Sequence, residues 1–245
     1  DIQRSKSEYF QRSNGSDHVL VMSHYMMQRK FHQYHVYPNL LRCNRVVYQN
    51  FPQRHKHDKT TPDRIEIQNL YVANLNGCQP TTPGNKTTDF AMIASMKRTR
   101  PNFRDRFNIC TWMKSGNFSY DVCGKGKMCP ALADARFGFH ARGDDLGSNR
   151  PFDIVASGTV PLFTRMGQYD IMPDFAPFRN MSYFVDVSSP SAFRETMRAV
   201  ANVTKEEYDA KLTIVKKYAN RVDVKSGEPF DAYMAMFARK LGLQD

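Results

Sequence analysis

Residues 136–163, RFGFHARGDDLGSNRPFDIVASGTVPLF, constrain the fold more than any other stretch of the chain. An apolar run over 136–140 ends in a loop carrying Gly143 and Gly147, and a helix-like segment follows over 150–157. Gly158-Thr159-Val160-Pro161 then leads into a second apolar run, 160–164. Strand, glycine loop, helix and strand form the unit from which parallel α/β sheets are built. Ligands of such sheets bind beyond the carboxyl ends of the strands, where these loops meet helix starts. A helix beginning near Ser148-Asn149-Arg150 would aim unpaired N–H groups and its positive dipole end at that crevice. Gly143 and Gly147 allow close backbone approach to a ligand. Arg150 supplies a planar fork suited to a diphosphate, and Asp153, one turn on, is placed to accept ribose hydroxyls. Residue types alone leave the ordinary alternative open, because Gly-containing strand-to-helix turns abound and Asp153 reads equally as a first-turn helix charge.

The flanking sequence carries the same alternation. Residues 17–23 (DHVLVMS), 45–48 (RVVY) and 65–72 read as strands, and 53–63, crowded with Lys, His, Thr and Pro, as a solvated loop. Residues 76–88, with Gly77, Pro80, Pro83 and Gly84, are the best linker. Beyond it come a strand over 90–95, a helix opening over 100–106, another apolar segment over 107–112 and a short helix over 131–135. A strand at 183–187 precedes helices at 191–200 and 205–218, the first introduced by Ser188-Ser189-Pro190 as N-cap and first-turn proline. The last helix, 229–241, places Phe230, Tyr233, Met234 and Phe237 on one face.

A chain of 245 residues accommodates one large domain or two small ones, and its net charge of +11 points to an anionic partner. No stretch approaches the roughly 18 apolar residues that span a bilayer. The first residues, Asp1-Ile2-Gln3-Arg4, lack the apolar region of a signal peptide, so the chain reads as a piece of a longer protein. Five cysteines form no CxxC pair; Cys123 and Cys129, in a Gly/Lys-rich loop, are candidates for a small disulfide, with free thiols the equal alternative. N-x-S/T sequons at Asn14, Asn85, Asn117, Asn180 and Asn202 exceed the roughly two expected by chance and favour a secretory lumen.

The spacing of Gly143-Asp144, Ser148-Asn149-Arg150-Pro151-Phe152-Asp153-Ile154 and Ser157-Gly158-Thr159-Val160-Pro161 resembles the exostosin glycosyltransferase signature. Thr159 stands where that signature has Cys, Ile154 where it has a small residue, and Leu146-Gly147 where a more polar pair is common. Asn14-Gly15-Ser16-Asp17-His18-Val19 with Ser23-His24 is similar to the family's Asp-His strand, 90–106 to its strand and basic loop, and 183–218 to its tail.

The resemblance implies an α/β, GT-B-like fold of two Rossmann-like halves, the N-terminal one incomplete. It divides the chain into a partial acceptor-side domain (1–85), a nucleotide-sugar domain (86–225) and a C-terminal helix packing back (226–245). It implies inverting transfer from a nucleotide-sugar, a UDP-sugar in the usual case, to a glycan or glycoprotein acceptor, with no cofactor and no essential metal. Arg98, Arg104, Arg106, Arg142, Gly143, Asp144, Ser148, Arg150, Asp153 and Gly158 are then the donor-binding candidates, and Lys97 and Arg100 thicken the same positive charge. A metal-free site must neutralise the leaving diphosphate with such cations; a solvated basic face is the plainer reading of the same residues. Inversion also needs a base for the acceptor hydroxyl, for which Asp17, His18 and His24 are the candidates, with a structural Asp-His pair as the alternative. The family places such proteins in the Golgi or secretory lumen, anchored through an N-terminal segment absent from this chain, and allows a related transferase subunit as partner.

Other readings are weaker. His32-x2-His35 and His55-x-His57 lack a complementary pair at zinc spacing. The methionines at 22, 26 and 27 read as core or interface filler, and Arg142-Gly143-Asp144 lies in the donor loop rather than an integrin-type loop. Tyr34-x2-Tyr37 and the basic loop 54–59 are all that favour nucleic-acid binding, and no nucleic-acid motif accompanies them. A non-catalytic exostosin-like subunit that keeps the fold is the remaining alternative.

Overall fold

The computed structural model describes residues 8, 11, 13–22, 43–47, 66–67, 71–73, 86–97, 99–143 and 146–243. His24, Arg98, Asp144, the histidines at 32, 35, 55 and 57, and the 76–85 part of the expected linker lie outside the described residues. The chain divides into two compact units, residues 1–70 with 233–245, and residues 71–232. Among the described residues, no helix is long and apolar enough to cross a membrane.

In the first unit, β1 (Val19–Met22), β2 (Asn44–Val47) and β3 (Glu66–Ile67) form a parallel sheet in that order. Val19 pairs with Asn44, and Arg45 with Glu66. Crossovers between parallel strands are long by necessity, which accounts for the sequence separating these three short runs.

The second unit holds a five-stranded parallel sheet with the order β5-β4-β6-β7-β8. Its elements are β4 (Thr88–Ile93), α1 (Arg104–Ser115), β5 (Tyr120–Gly124), α2 (Met128–Asp134), β6 (Ala135–His140), α3 (Arg150–Ala156), β7 (Val160–Phe163), β8 (Tyr183–Phe184), α4 (Pro190–Ala201) and α5 (Lys205–Val222). Side chains alternate across the central strands. Phe90, Phe137 and Phe139 stack on one face, Phe90 and Phe137 with centroids 5.4 Å apart, and Phe193 of α4 and Trp112 of α1 close over them. On the other face Ala91 and Ile93 pack with Ala131, Leu132 and Ile154. A strand buried on both faces reads as a continuous apolar run, which is why FAMI and RFGF were visible in sequence. The cap expected at Ser188-Ser189-Pro190 is present, with Ser189 Oγ accepting from Ala192 N at 3.2 Å, and Thr204 and Glu207 add a capping box on α5.

Four expectations change. Residues 107–112 are the body of α1 rather than a separate segment. Residues 120–124, whose Cys123 was expected in a loop, form the edge strand β5. That strand brings Cys123 against α1, so its disulfide partner is Cys110 (Cα–Cα 5.5 Å) and not Cys129, which is disulfide-bonded elsewhere. The final helix, α6 (Glu228–Lys240), follows as a thirteen-residue element. Within the first unit it buries Met236 and Phe237, with Tyr233, Leu241 and Val46 against them, while Phe230 and Met234 are exposed. The apolar face is therefore rotated from the expected one, because Met236 and Leu241 complete a second i, i+3, i+4 stripe with Tyr233 and Phe237.

Candidate functional site: the loops at the strand-order reversal

The second unit's sheet reverses direction between β4 and β6: the chain leaves β4 toward β5 on one side and returns to β6 on the other. The loops after β4 and β6 thus diverge at the carboxyl edge, leaving the crevice in which parallel α/β sheets bind ligands. Arg106, in the first turn of α1, joins these two loops. Its Nε donates to Arg142 O and its Nη1 to Ser95 O, each at 2.9 Å, and the guanidinium lies 3.9 Å over the Phe103 ring. A Cβ on Gly143 would come within 2.7 Å of Arg106 Nη2. What approaches Gly143 closely is this arginine, and what approaches Gly147 is Tyr71, whose hydroxyl would lie 2.5 Å from a Cβ there. Both glycines make room for the protein's own side chains.

His140 ends β6, level with Phe163 of β7, and is buried. Its Nε2 donates to Leu146 O at 3.0 Å, which leaves Nδ1 as a buried acceptor without a partner. Burial, reinforced by the charge of Arg150 and, more weakly, of Arg106, holds its pKa down to about 3, so the ring is neutral. Arg142 Nε and Arg150 Nη1 are also buried and without a hydrogen-bond partner. Burial lowers the Arg150 pKa and the charge of Asp153 opposes that shift. Among the described residues, 140–150 therefore supply one buried acceptor and two buried cationic donors left unmet, at the end of the strand beside the reversal. Unmet buried polar groups are rare enough that each asks for a reason.

The loop is held from behind by Gln168, which is fully buried. Its Nε2 donates to His140 O (3.1 Å) and Leu146 O (3.3 Å), while its Oε1 accepts from Thr164 N and Arg165 N, both at 2.9 Å. Arg165 in turn forms a two-point pair with Asp105 in the first turn of α1, at 2.9 and 2.8 Å. The turn after β7 thereby braces both α1 and the loop after β6. Sequence reasoning missed His140 and Gln168. The end of an apolar strand was a signal for the first; for the second, a Gln at the third position of a short helical turn was the local sign, and its reach to the loop after β6 had none.

The start of α3 differs from expectation. Arg150 N donates to Ser148 Oγ at 3.2 Å, Pro151 has no N–H, and Phe152 N and Asp153 N both donate to Asn149 O at 3.0 Å. The amides expected to face an anion are thus already engaged, and the cationic side chains remain. Asp153 is buried, and its charge acts on Arg150. Arg104 is exposed, as is Arg100, which lies 5.6 Å over Phe103. Gly158 is not at the crevice: it follows the far end of α3, where its φ of +64° turns the chain into β7 at the opposite edge of the sheet. In the first unit, His18 Nδ1 and Asp17 Oδ1 are paired at 2.7 Å, half-exposed, at the amino end of β1.

With this geometry in view, the chain can be set beside known proteins. Residues 1–200 match the exostosin GT47 domain. Among solved structures, sucrose-phosphate synthase from Thermosynechococcus elongatus superposes with a TM-score of 0.50 at 10% identity, over 89% of this chain and 68% of that one. The GtfA/B complex gives 0.49 at 14% identity, over 86% and 48%. The pneumococcal O-GlcNAc transferase GtfA, solved with UDP and GlcNAc, gives 0.49 at 8%, over 83% and 46%. This chain spans about half the length of the latter two. No curated protein matches it in sequence. At such identities the likeness to the synthase speaks to fold alone, and that fold is α/β of GT-B type. By the domain that covers residues 1–200 of its 245, this chain belongs to the exostosin GT47 family of glycosyltransferases.

Proposed function

We propose that the chain binds the diphosphate of a nucleotide-sugar, a UDP-sugar in the first instance, beside the strand-order reversal and moves the sugar with inversion to a glycan or glycoprotein acceptor. One observation carries this reading: the unmet buried Arg142 Nε, Arg150 Nη1 and His140 Nδ1 in the single stretch 140–150. Leaving buried donors unpaired costs roughly 1–3 kcal/mol each, and a diphosphate satisfies both arginines at once. Arg150 offers the forked geometry that phosphate oxygens match. The neutral His140 offers an acceptor to a donor hydroxyl, and Asp153 is the candidate for the ribose.

In the transfer, the acceptor oxygen bonds to the anomeric carbon as the bond to the diphosphate breaks. The acceptor's proton passes to a base on the protein, and the charge growing on the leaving diphosphate meets Arg142 and Arg150. In this scheme neutralisation falls to these side chains and needs no metal or cofactor. For the base, the Asp17–His18 pair stands at the amino end of its strand, whereas parallel sheets take ligands at the carboxyl end. His24, two residues past Met22 in sequence, is therefore the better candidate. The setting we propose is the Golgi or secretory lumen, with anchorage through an N-terminal segment.

Saturation-transfer NMR across UDP- and GDP-sugars tests the reading. Saturation of uridine and ribose protons is expected with the wild-type chain and not with Arg150→Met. Binding without turnover would favour the non-catalytic subunit and a related transferase as partner. No binding to any nucleotide-sugar would remove the transferase proposal.

A further inference from the structure

Four of the five sequon asparagines, Asn14, Asn117, Asn180 and Asn202, fall among the described residues, and all four are exposed. Two of them share a position in the fold. Helix α1 crosses from β4 to the parallel β5 and so ends at the amino edge of the sheet, and α4 packs against it. They lie side by side through Trp112 and Phe193, whose ring centroids are 5.4 Å apart. Asn117 follows the last turn of α1 in the left-handed conformation (φ 55°), and Asn202 is the C-cap of α4. Asn117 precedes β5, and Asn202 lies just ahead of α5, whose Tyr208 packs on Phe137 at the start of β6, so both acceptors stand on the amino edge, opposite the loop that holds Arg142 and Arg150.

The second observation is the disulfide between Cys110 and Cys123, with Cys129 disulfide-bonded as well. Such bonds form and persist in oxidising compartments, the same ones in which asparagine is glycosylated. Asn117 lies inside the 13-residue span that Cys110–Cys123 closes, and its neighbour Phe118 packs edge-on against Phe90 and Phe193. Once these contacts form, the sequon is fixed in a tight turn. Its acceptor nitrogen must therefore react while the segment is still extended.

We propose that Asn117 and Asn202 are N-glycan acceptors, modified before the Cys110–Cys123 loop closes, and that their glycans occupy the amino edge of the five-stranded sheet away from the donor loops. The side-chain amide nitrogen of each asparagine gives up one proton to a base of the modifying enzyme and bonds to the anomeric carbon of a lipid-diphosphate-linked oligosaccharide, and the lipid diphosphate leaves with the electron pair of the broken carbon–oxygen bond.

The test is to secrete the full chain from insect cells behind an appended leader and release glycans with peptide-N-glycosidase in heavy-oxygen water. Peptide mass spectrometry then reads which asparagines have become labelled aspartate, on the secreted and the retained pools alike, so that poor secretion does not silence the measurement. Labelled Asp at 117 and 202 is expected, with UDP binding unchanged after glycan release. Unmodified Asn117 and Asn202 in disulfide-bonded chain would overturn the assignment. A change in nucleotide binding on glycan release would overturn the placement on the far edge. Both outcomes are independent of whether the chain transfers sugar.

Discussion

Replacing Arg150 by Met separates a ligand-binding cation from a structural one. Methionine keeps most of the unbranched stem and removes the charge with its five donors. In the unliganded chain the guanidinium is buried, Nη1 has no partner, and Asp153 supplies the opposing charge. An unmet buried donor costs roughly 1–3 kcal/mol, so its removal offsets part of what is lost when Asp153 no longer faces a cation. Because Asp153 stays behind as a buried charge, and losing one partner of such a pair costs more than replacing both, the expected net change without nucleotide is a loss of about 1–3 kcal/mol. With nucleotide the two chains diverge. Charge-assisted hydrogen bonds are worth about 1.5–3 kcal/mol each, so the variant binds UDP roughly ten- to a hundredfold more weakly. At a UDP concentration of about 100 times the wild-type Kd, ligand linkage stabilises the wild type by about 2.7 kcal/mol and a fifty-fold weakened variant by less than about 1 kcal/mol. Urea denaturation with and without UDP measures all four stabilities. A loss of more than about 3 kcal/mol in the variant without nucleotide would make Arg150 a structural anchor. Equal stabilisation of both chains by UDP would place the diphosphate elsewhere.

Three further outcomes are expected. His140 is neutral when folded, with a pKa of about 3 against 6.5 when free, so below pH 6.5 the unfolded chain takes up a proton that the folded chain does not. Its contribution is complete above pH 6.5 and falls by about 1.4 kcal/mol per unit as pH drops toward 3. His140→Gln should therefore lose about 2 kcal/mol less than wild type between pH 7 and 5 in urea titrations; parallel losses would show that the ring is not held neutral. Gly143→Ala drives a Cβ to 2.7 Å from Arg106 Nη2 and should cost about 1–3 kcal/mol while weakening UDP binding, and unchanged values for both would deny the tie between the loops. Replacing Cys110 and Cys123 together by Ser opens a 13-residue span and should cost about 3 kcal/mol in non-reducing denaturation, with the difference vanishing under reductant.

The parts of the fold that sequence made legible are those whose burial is symmetric. β4, β6 and β7 are covered on both faces and announce themselves as apolar runs. β5 does not: Tyr120-Asp121-Val122-Cys123-Gly124 is an edge strand with mixed exposure, and its Gly/Lys neighbours read as loop. With β5 hidden, the nearby Cys129 looked the better partner for Cys123, although the strand sets Cys123 beside α1. Arg150 and Asp153 were visible because family spacing fixes them, and they are brought together. Arg106 was visible only as one of several cations; that it binds Ser95 O and Arg142 O depends on the meeting of two loops 36 and 11 residues away. Gln168 is half local: its Oε1 caps the turn of Thr164 and Arg165, whereas its Nε2 reaches His140 O and Leu146 O, 28 and 22 residues away, which no local pattern announces.

The tie made by Arg106 has a consequence for how the two loops respond to a ligand. Because one side chain holds Ser95 O and Arg142 O together, opening either loop breaks a bond to the arginine that also anchors the other. Any nucleotide that favours the closed arrangement of the loop after β6 must then suppress opening of the loop after β4. By reciprocity, a change that loosens the β4 loop by some factor lowers nucleotide affinity by that same factor. On the proposed reading, donor affinity would then be tunable from Ser95, through the carbonyl that Arg106 holds.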